Sequence, residues 1–396
     1  MSDYGTIRVV KSHSTDVLVV GAGPAGSSAA AWAARAGHDV ILLDSQVFPR
    51  DKTCGDGLTP RAIKELHLLG LGEWLSHKPR NRGLRAAGFG QELLLPWPGG
   101  SLPDNGSAAP RMELDARVMQ AARDSGAKGP EGPVEYRAKK VIVADGVRSQ
   151  LGRRLGRQWH RDTAYGVAAR AYITSDRSDD EWISSHLELR GTSNEILSGY
   201  GWIFPLGSGQ VNIGVGTLAT AKHPADLNLR ALMDQYTEQQ RDTWQLDGEL
   251  AMSASAMLPM GGAVSGVSGR NWMLVGDAAG CVNPLNGEGI DYGLETGRLA
   301  VDMLDATDDY TQAWSSYLRE HYGIAFSIAR RLAGYLTIPR LLPTLGPIGM
   351  RSHALMTVAL RVMGNLVTEE DSDFVARLWR ASGRASMRAD ARPPFS

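Results

Sequence analysis

The stretch Asp16-Val17-Leu18-Val19-Val20-Gly21-Ala22-Gly23-Pro24-Ala25-Gly26 decides the fold. A β-branched apolar run leads into a GxGxxG turn, and the alanine-rich segment from Pro24 to Arg35 reads as the helix that follows. Gly37 ends that helix, and Val40 to Leu43 reads as a second buried strand. Strand, helix and strand in so short a span form a βαβ unit, hence a parallel sheet. Gly21 permits the tight turn, Gly23 lets backbone approach a pyrophosphate, and Gly26 lets helix and strand pack closely. Pro24 and Ala25 open the helix whose N–H groups face the phosphates. Asp44, 18 residues past Gly26 at the end of the second strand, stands where a carboxylate accepts a ribose hydroxyl. This motif alone does not separate FAD from NAD.

The rest of the chain sets the scale. Its 396 residues predict two or three domains at about 150 residues each. With 42 basic and 43 acidic residues the net charge is −1, which argues against nucleic-acid binding through bulk charge. Two cysteines exclude a disulfide scaffold and a Cys-rich zinc module, and make a reducing, cytoplasmic setting the default. The nine histidines show no HExxH-type spacing, so no metal is expected. The first apolar run, Val17 to Val20, is too short for a signal peptide, and no run of 18 apolar residues predicts a spanning helix. Glycine is in excess, with 46 residues against an average near 7%. The glycines sit in discrete loops, as where backbone approaches a ligand.

Further along, Thr59-Pro60 opens a helix through Leu69, with threonine as N-cap, and Glu113 to Asp124 is helical. Residues 83–104 read as an irregular Gly/Pro-rich excursion. Lys140 to Ala144 is a strand. Short β-like runs then predict an antiparallel sheet: Val167 to Ile173, His186 to Leu189, Trp202 to Phe204 and Val211 to Val215. Leu227 to Gln240 is a helix, Trp272 to Val275 a buried strand, and Gly287 to Leu304 a helix. The remainder is helical, broken by Pro339, Pro343 and Pro347, and residues 1–15 read as a frayed polar end.

Two more glycine clusters carry chemistry. Gly276-Asp277-Ala278-Ala279-Gly280 directly follows a strand, where a carboxylate can accept from ribityl hydroxyls. Asn283-Pro284-Leu285-Asn286-Gly287-Glu288-Gly289-Ile290 then opens a long helix whose N-terminal N–H groups can face a flavin pyrimidine edge. Combined with the first motif, these clusters select FAD, whose extended form spans both. Asp145, in Ala144-Asp145-Gly146 after a strand, would set a carboxylate near the cofactor; a plain strand-end turn is the alternative. Arg111, just before the Glu113 helix, is placed to reach the phosphates.

Together these motifs resemble the flavoprotein class of p-hydroxybenzoate hydroxylase, squalene epoxidase, flavin halogenases and geranylgeranyl reductases. Phe48-Pro49-Arg50-Asp51-Lys52-Thr53-Cys54-Gly55-Asp56-Gly57 resembles the PxxKxCG loop of the geranylgeranyl reductases, and Gly199-Tyr200-Gly201-Trp202-Ile203-Phe204-Pro205 resembles their YxWxFP substrate motif. The resemblance runs from about residue 14 to about 380. Its finer features, Asn283 to Asp291 and Gly346 to Asp371, are most like the menaquinone isoprenyl-chain reductase branch. One departure is the short connection over 127–139, where relatives place a strand and a β-meander; either the meander is reduced or residues are missing there.

The resemblance implies an α/β fold: a Rossmann-type FAD-binding domain, an antiparallel-sheet substrate domain and a helical C-terminal region. It divides the chain into FAD-binding pieces at 14–75, 111–160 and 261–308, a substrate-domain excursion at 76–110, a substrate and catalytic domain at 161–260, and helices at 309–396. It implies a reductase of isoprenoid double bonds in a prenyl lipid, either menaquinone or geranylgeranyl diphosphate or a geranylgeranylated lipid. A monooxygenase or epoxidase on the same fold is the alternative, and a non-catalytic lipid carrier a more distant one. Lys52, Cys54 and Gly55 would lie beside the flavin, Cys54 either donating or relaying a proton or shaping the pocket. Tyr200, Trp202 and Phe204 alternate along one strand, so they share a face, and with Pro205 would line the isoprenoid channel; their π faces can stabilise a transient cation. Cys281 is assigned no role. No second GxGxxG follows a strand, so the electron donor is a transiently bound NAD(P)H or a ferredoxin-type protein. Residues 310–368 carry six arginines, no lysine and one glutamate, a net +5. Such a stretch suits either a solvated helical cap or peripheral contact with the inner membrane face.

Overall fold

The computed structural model describes residues 12–130, 134–191, 193–225 and 227–396. The Gly-rich turn grows out of a five-stranded sheet ordered Ser268–Gly269, Trp272–Leu274, Glu135–Val143, Ser12–Val20, Val40–Leu43. All neighbours are parallel except the first pair. In register, Val20 lies beside Leu43 and Val143, and Val143 beside Leu274. Four strands therefore end along one edge, where open parallel sheets hold ligands. The helix Pro24–Arg35 matches its expected bounds, and it buries an alanine face against the sheet. Small side chains are needed there because the helix Ile290–Leu304 crosses it at close range: a Cβ on Gly297 would stand 2.3 Å from the Ala25 carbonyl oxygen.

The second layer is a seven-stranded sheet ordered Leu246–Leu258, Tyr165–Ser175, Gln210–Ala219, Gly199–Pro205, Trp182–His186, Gly83–Gly88, Gln91–Pro96. It is antiparallel apart from the Trp182–His186 and Gly83–Gly88 pair. Alternation gives it two faces. Ala169, Ala171, Ile173, Ile203, Ile213 and Val215 pack under the helix Leu229–Trp244. The opposite face carries Arg170, Tyr172, Asn212 and the Tyr200–Trp202–Phe204 row.

Several expectations are corrected. Residues 83–96 are a hairpin, not an irregular excursion; Pro96 sits on its outer, edge strand, and Gly83 on the inner strand is required by close approach, since a Cβ there would stand 2.2 Å from the Leu95 carbonyl oxygen. The strand Trp182–His186 begins earlier than expected. The thirteen-residue strand Leu246–Leu258, unpredicted, is largely exposed at the sheet edge and so lacks an apolar run. Pro343 and Pro347 lie within the helix Leu341–Met350 rather than breaking it. Thr59 is the N-cap of Pro60–Leu68, yet its side chain makes no capping bond; its hydroxyl donates to Glu288 instead. The Ala127 to Pro133 connection falls partly outside the described residues, as do residues 1–11; Ser12 to Thr15, expected to fray, instead belong to the first strand and pair with Glu135 to Ala138. Among the described residues no helix is long and apolar enough to cross a membrane.

Candidate functional site

The aligned strand ends gather the motifs. Gly21 follows Val20, Asp44 follows Leu43, Ala144 follows Val143, and Gly276 stands just past Leu274. A Cβ on Gly21 would strike the Ala144 carbonyl at 2.3 Å, and one on Gly276 would stand 2.8 Å from the Ala25 Cβ. Two glycine clusters far apart in sequence thus form one crevice.

The residues fit FAD. Gly23 caps the helix Pro24–Arg35 without any side-chain hydrogen bond, so the first N–H groups are left open. Above them stand two guanidiniums: a Cβ on Gly23 would lie 3.5 Å from Arg50 Nη2 and 4.0 Å from Arg111 Nη2. Both arginines are held by the fully buried Asp115, which accepts from Arg50 Nη1 at 2.8 Å and from Arg111 Nε and Nη2 at 2.6 and 2.8 Å. An open helix N-terminus under two arginines suits a pyrophosphate. Asp44 Oδ2 accepts the Ala22 N–H at 2.7 Å and Oδ1 the Gln46 N–H at 2.8 Å, which fixes the carboxylate at the mouth of the turn.

A second open helix start faces the same crevice. Gly289 is the N-cap of Ile290–Leu304, again without a side-chain bond. Gly287 turns with φ +77°, and the Asp277 carboxylate lies 3.1 Å from where a Gly289 Cβ would be. The Tyr200 hydroxyl donates to the Asn286 carbonyl at 2.6 Å and so struts this turn against the second sheet. Of the two readings of Asp145, its hydrogen bonds fit the strand-end turn. Its Oδ1 accepts from Ser149 at 2.6 Å and its Oδ2 from the Leu151 N–H at 2.8 Å, so its carboxylate anchors the helix Gln150–Arg154.

The Cys54 loop meets the aromatic row. Ring centroids of Tyr200 and Trp202 are 5.9 Å apart, and those of Trp202 and Phe204 6.3 Å, so the three share a face. A Cβ on Gly55 would lie 3.2 Å from Trp202 Nε1 and 3.1 Å from Phe204 Cε2. The Cys54 carbonyl accepts from Asn212 Nδ2 at 2.9 Å, and the Lys52 carbonyl from Arg170 at 3.2 Å. Trp202 Nε1 donates to Asn212 Oδ1 at 3.0 Å. Pro205 closes the row at the strand end.

Under this face lies a polar cluster that the sequence reasoning missed. Asp56 is fully buried; it accepts from Tyr172 Oη at 2.6 Å, from Asn212 Nδ2 at 2.9 Å and from the Arg111 N–H at 3.2 Å. Burial pushes its carboxyl up to about 6 against these donors. Burial likewise raises the Cys54 thiol, opposed by the Arg111 guanidinium, so the thiol is protonated at neutral pH. Across the crevice, burial and then the charge of Asp291 raise Glu288 well above the carboxylate range; Asp291 itself is raised to about 6 by burial. Asp291 Oδ2 accepts from Asn365 at 2.9 Å. Asp56 and Glu288 sit inside the quoted motifs, so their positions were legible; their burial was not. Arg50 occupies a variable position of the quoted Phe48–Gly57 stretch, and Asp115 lies in the Glu113 helix; neither residue type there signals phosphate binding.

Comparisons with known proteins agree with this geometry. The FAD binding domain family matches residues 14–120. The chain is 58% identical over 404 residues to the menaquinone reductase of Mycobacterium tuberculosis (strain ATCC 25618 / H37Rv), covering 97% of this chain and 99% of that one. It is 30% identical over 346 residues to digeranylgeranylglycerophospholipid reductase 1 of Methanopyrus kandleri, covering 81% and 90%. Among solved structures, a geranylgeranyl bacteriochlorophyll reductase-like protein from Thermoplasma acidophilum superposes with a TM-score of 0.71 at 21% identity, covering 95% of this chain and 96% of that one. A flavin-dependent brominase superposes with a TM-score of 0.72 at 18% identity, covering 96% and 100%. These two establish the fold.

Proposed function

The chain belongs to the menaquinone reductase family of FAD-dependent oxidoreductases, and from that premise we propose that it saturates isoprenoid double bonds in the side chain of menaquinone. The observation that carries the reading is the contact of the Cys54 loop with the Trp202–Phe204 face, beside a crevice built for FAD. Bound FAD, once reduced, supplies a hydride. An isolated trisubstituted alkene is not electrophilic, so the protein must favour positive charge at the tertiary carbon and bring a proton to the other.

The aromatic row offers π faces toward developing positive charge and an apolar wall that excludes water. Cys54 Sγ holds the proton, because burial keeps the thiol neutral, and Arg111 stabilises the thiolate left when the proton departs. Asn212 holds loop and wall together by binding the Cys54 carbonyl, Asp56 and Trp202 at once. Arg50, Arg111 and the open start of Pro24–Arg35 hold the cofactor's phosphates, and Tyr200 positions the Asn286 turn. Electrons come from a transiently bound NAD(P)H or an iron–sulfur protein. The lipid substrate places the protein peripherally on the inner face of the membrane.

The test is anaerobic. The holoprotein is reduced with dithionite and mixed with menaquinone bearing an unsaturated side chain. A gain of two hydrogens in the side chain, not the ring, is expected by mass. No gain there, with an oxygen atom added in air, would establish the monooxygenase instead.

A further inference from the structure

We propose that the paired helices Leu341–Met350 and His353–Met363 form a docking surface for an anionic lipid bilayer. Both helices rest on the Gly83–Pro96 hairpin. Gly346 packs on Phe89, and Met350 and Leu360 are buried with Ala86, Leu95 and Ile183. Their outward faces are apolar: Leu345 is 53% exposed, Ile348 57% and Leu355 55%. Surface helices ordinarily turn polar residues outward, whereas this pair is apolar on both sides, Met350 and Leu360 inward and Leu345, Ile348 and Leu355 outward.

Charge identifies the occupant. From His321 to Thr368 the chain holds no acidic residue. Of its five arginines, Arg330 and Arg331 pair with Asp390, and Arg361 with Asp371 and Asp373. Arg340 and Arg351, one at each end of the first helix, are exposed and have no acidic partner among the described residues. Apolar side chains between two unpaired cations, with no carboxylate to repel phosphate, match the interface of a bilayer bearing anionic headgroups. The inference adds a contact surface and a headgroup charge to the peripheral location in the prenyl-lipid reading and rests on that reading only for purpose; vesicle binding requires no turnover, so either can fail alone.

The experiment is co-sedimentation of the FAD-loaded full chain with phosphatidylcholine vesicles, with or without phosphatidylglycerol. Binding to the anionic vesicles, weakening as salt rises, is expected. The variant R340Q/R351Q should bind them about 30-fold more weakly, from about 1 kcal/mol per arginine at the surface. The variant L345S/I348S should lose binding while keeping bound-flavin absorbance and turnover on detergent-dispersed menaquinone. Equal binding to neutral vesicles, no binding to either, or an unchanged R340Q/R351Q would overturn the proposal. So would a dimer in solution that L345S/I348S dissociates, which would make this face a contact between copies.

Discussion

Replacing Gly23 by alanine separates cofactor binding from folding. Gly23 has φ −70° and ψ −176°, conformations open to any residue. The added methyl would meet nothing closer than Arg50 Nη2 at 3.5 Å, ordinary contact. Alanine is a poorer N-cap than glycine, but it restricts the unfolded chain, and the opposing effects leave apoprotein stability within about 1 kcal/mol. The methyl nevertheless fills the gap between the helix start and the two guanidiniums, which is the proposed pyrophosphate cradle. Forcing it outward forfeits at least one charge-assisted hydrogen bond, about 1.5–3 kcal/mol, which is about 10- to 150-fold in Kd. Gly26→Ala is the contrast: its Cβ would stand 1.8 Å from the Gly21 carbonyl oxygen, so backbone must move at a cost of about 3 kcal/mol or more. Titration of apoprotein with FAD by flavin fluorescence, with urea unfolding of each apoprotein, reads both quantities. Unchanged FAD affinity in Gly23→Ala, or instability equal to that of Gly26→Ala, would refute the cradle.

Three further outcomes are expected. Cys54→Ser should bind FAD normally yet lose side-chain reduction about 100-fold or more, the usual worth of a positioned acid; unchanged turnover removes Cys54 from the chemistry. Asp56 has a folded value of about 6 against 3.8, so the folded chain keeps a proton that the unfolded chain releases between those values. Its stabilising contribution is therefore present at low pH and lost as pH rises from about 4 to about 6, by up to about 3 kcal/mol. Urea midpoints across that window should fall, and should fall less in Asp56→Asn; part of the slope persists because Asp291 is also raised to about 6. Glu288→Gln should change stability at neutral pH by no more than about 1 kcal/mol, since a neutral carboxyl and an amide offer Thr59 the same acceptor; a loss of 3 kcal/mol or more would mean an ionised glutamate.

The βαβ unit was legible because local chemistry dictates it. Pro24–Arg35 and Val40–Leu43 match their expected bounds, and the Tyr200–Trp202–Phe204 row shares a face because strand periodicity requires it. The hairpin at 83–96 and the strand Leu246–Leu258 were not legible. Their pairing energy comes from partner strands, and edge strands carry weak apolar patterns. Asp145 shows the limit of motif reading: a strand-end carboxylate can serve a ligand or its own turn, and only the positions of Ser149 and Leu151 distinguish them.

Glycine spacing and side-chain alternation are local constraints, and they were enough to reach the dinucleotide-type fold, the choice of FAD and the segments that surround it. That Asp115 holds Arg50 and Arg111 over Gly23, that Asp56 is buried between Tyr172 and Asn212, and that the Cys54 loop meets Trp202 came from the folded arrangement alone. Burial, charge pairing and hydrogen-bond satisfaction depend on which distant segments come together, and strand register and helix crossing set that.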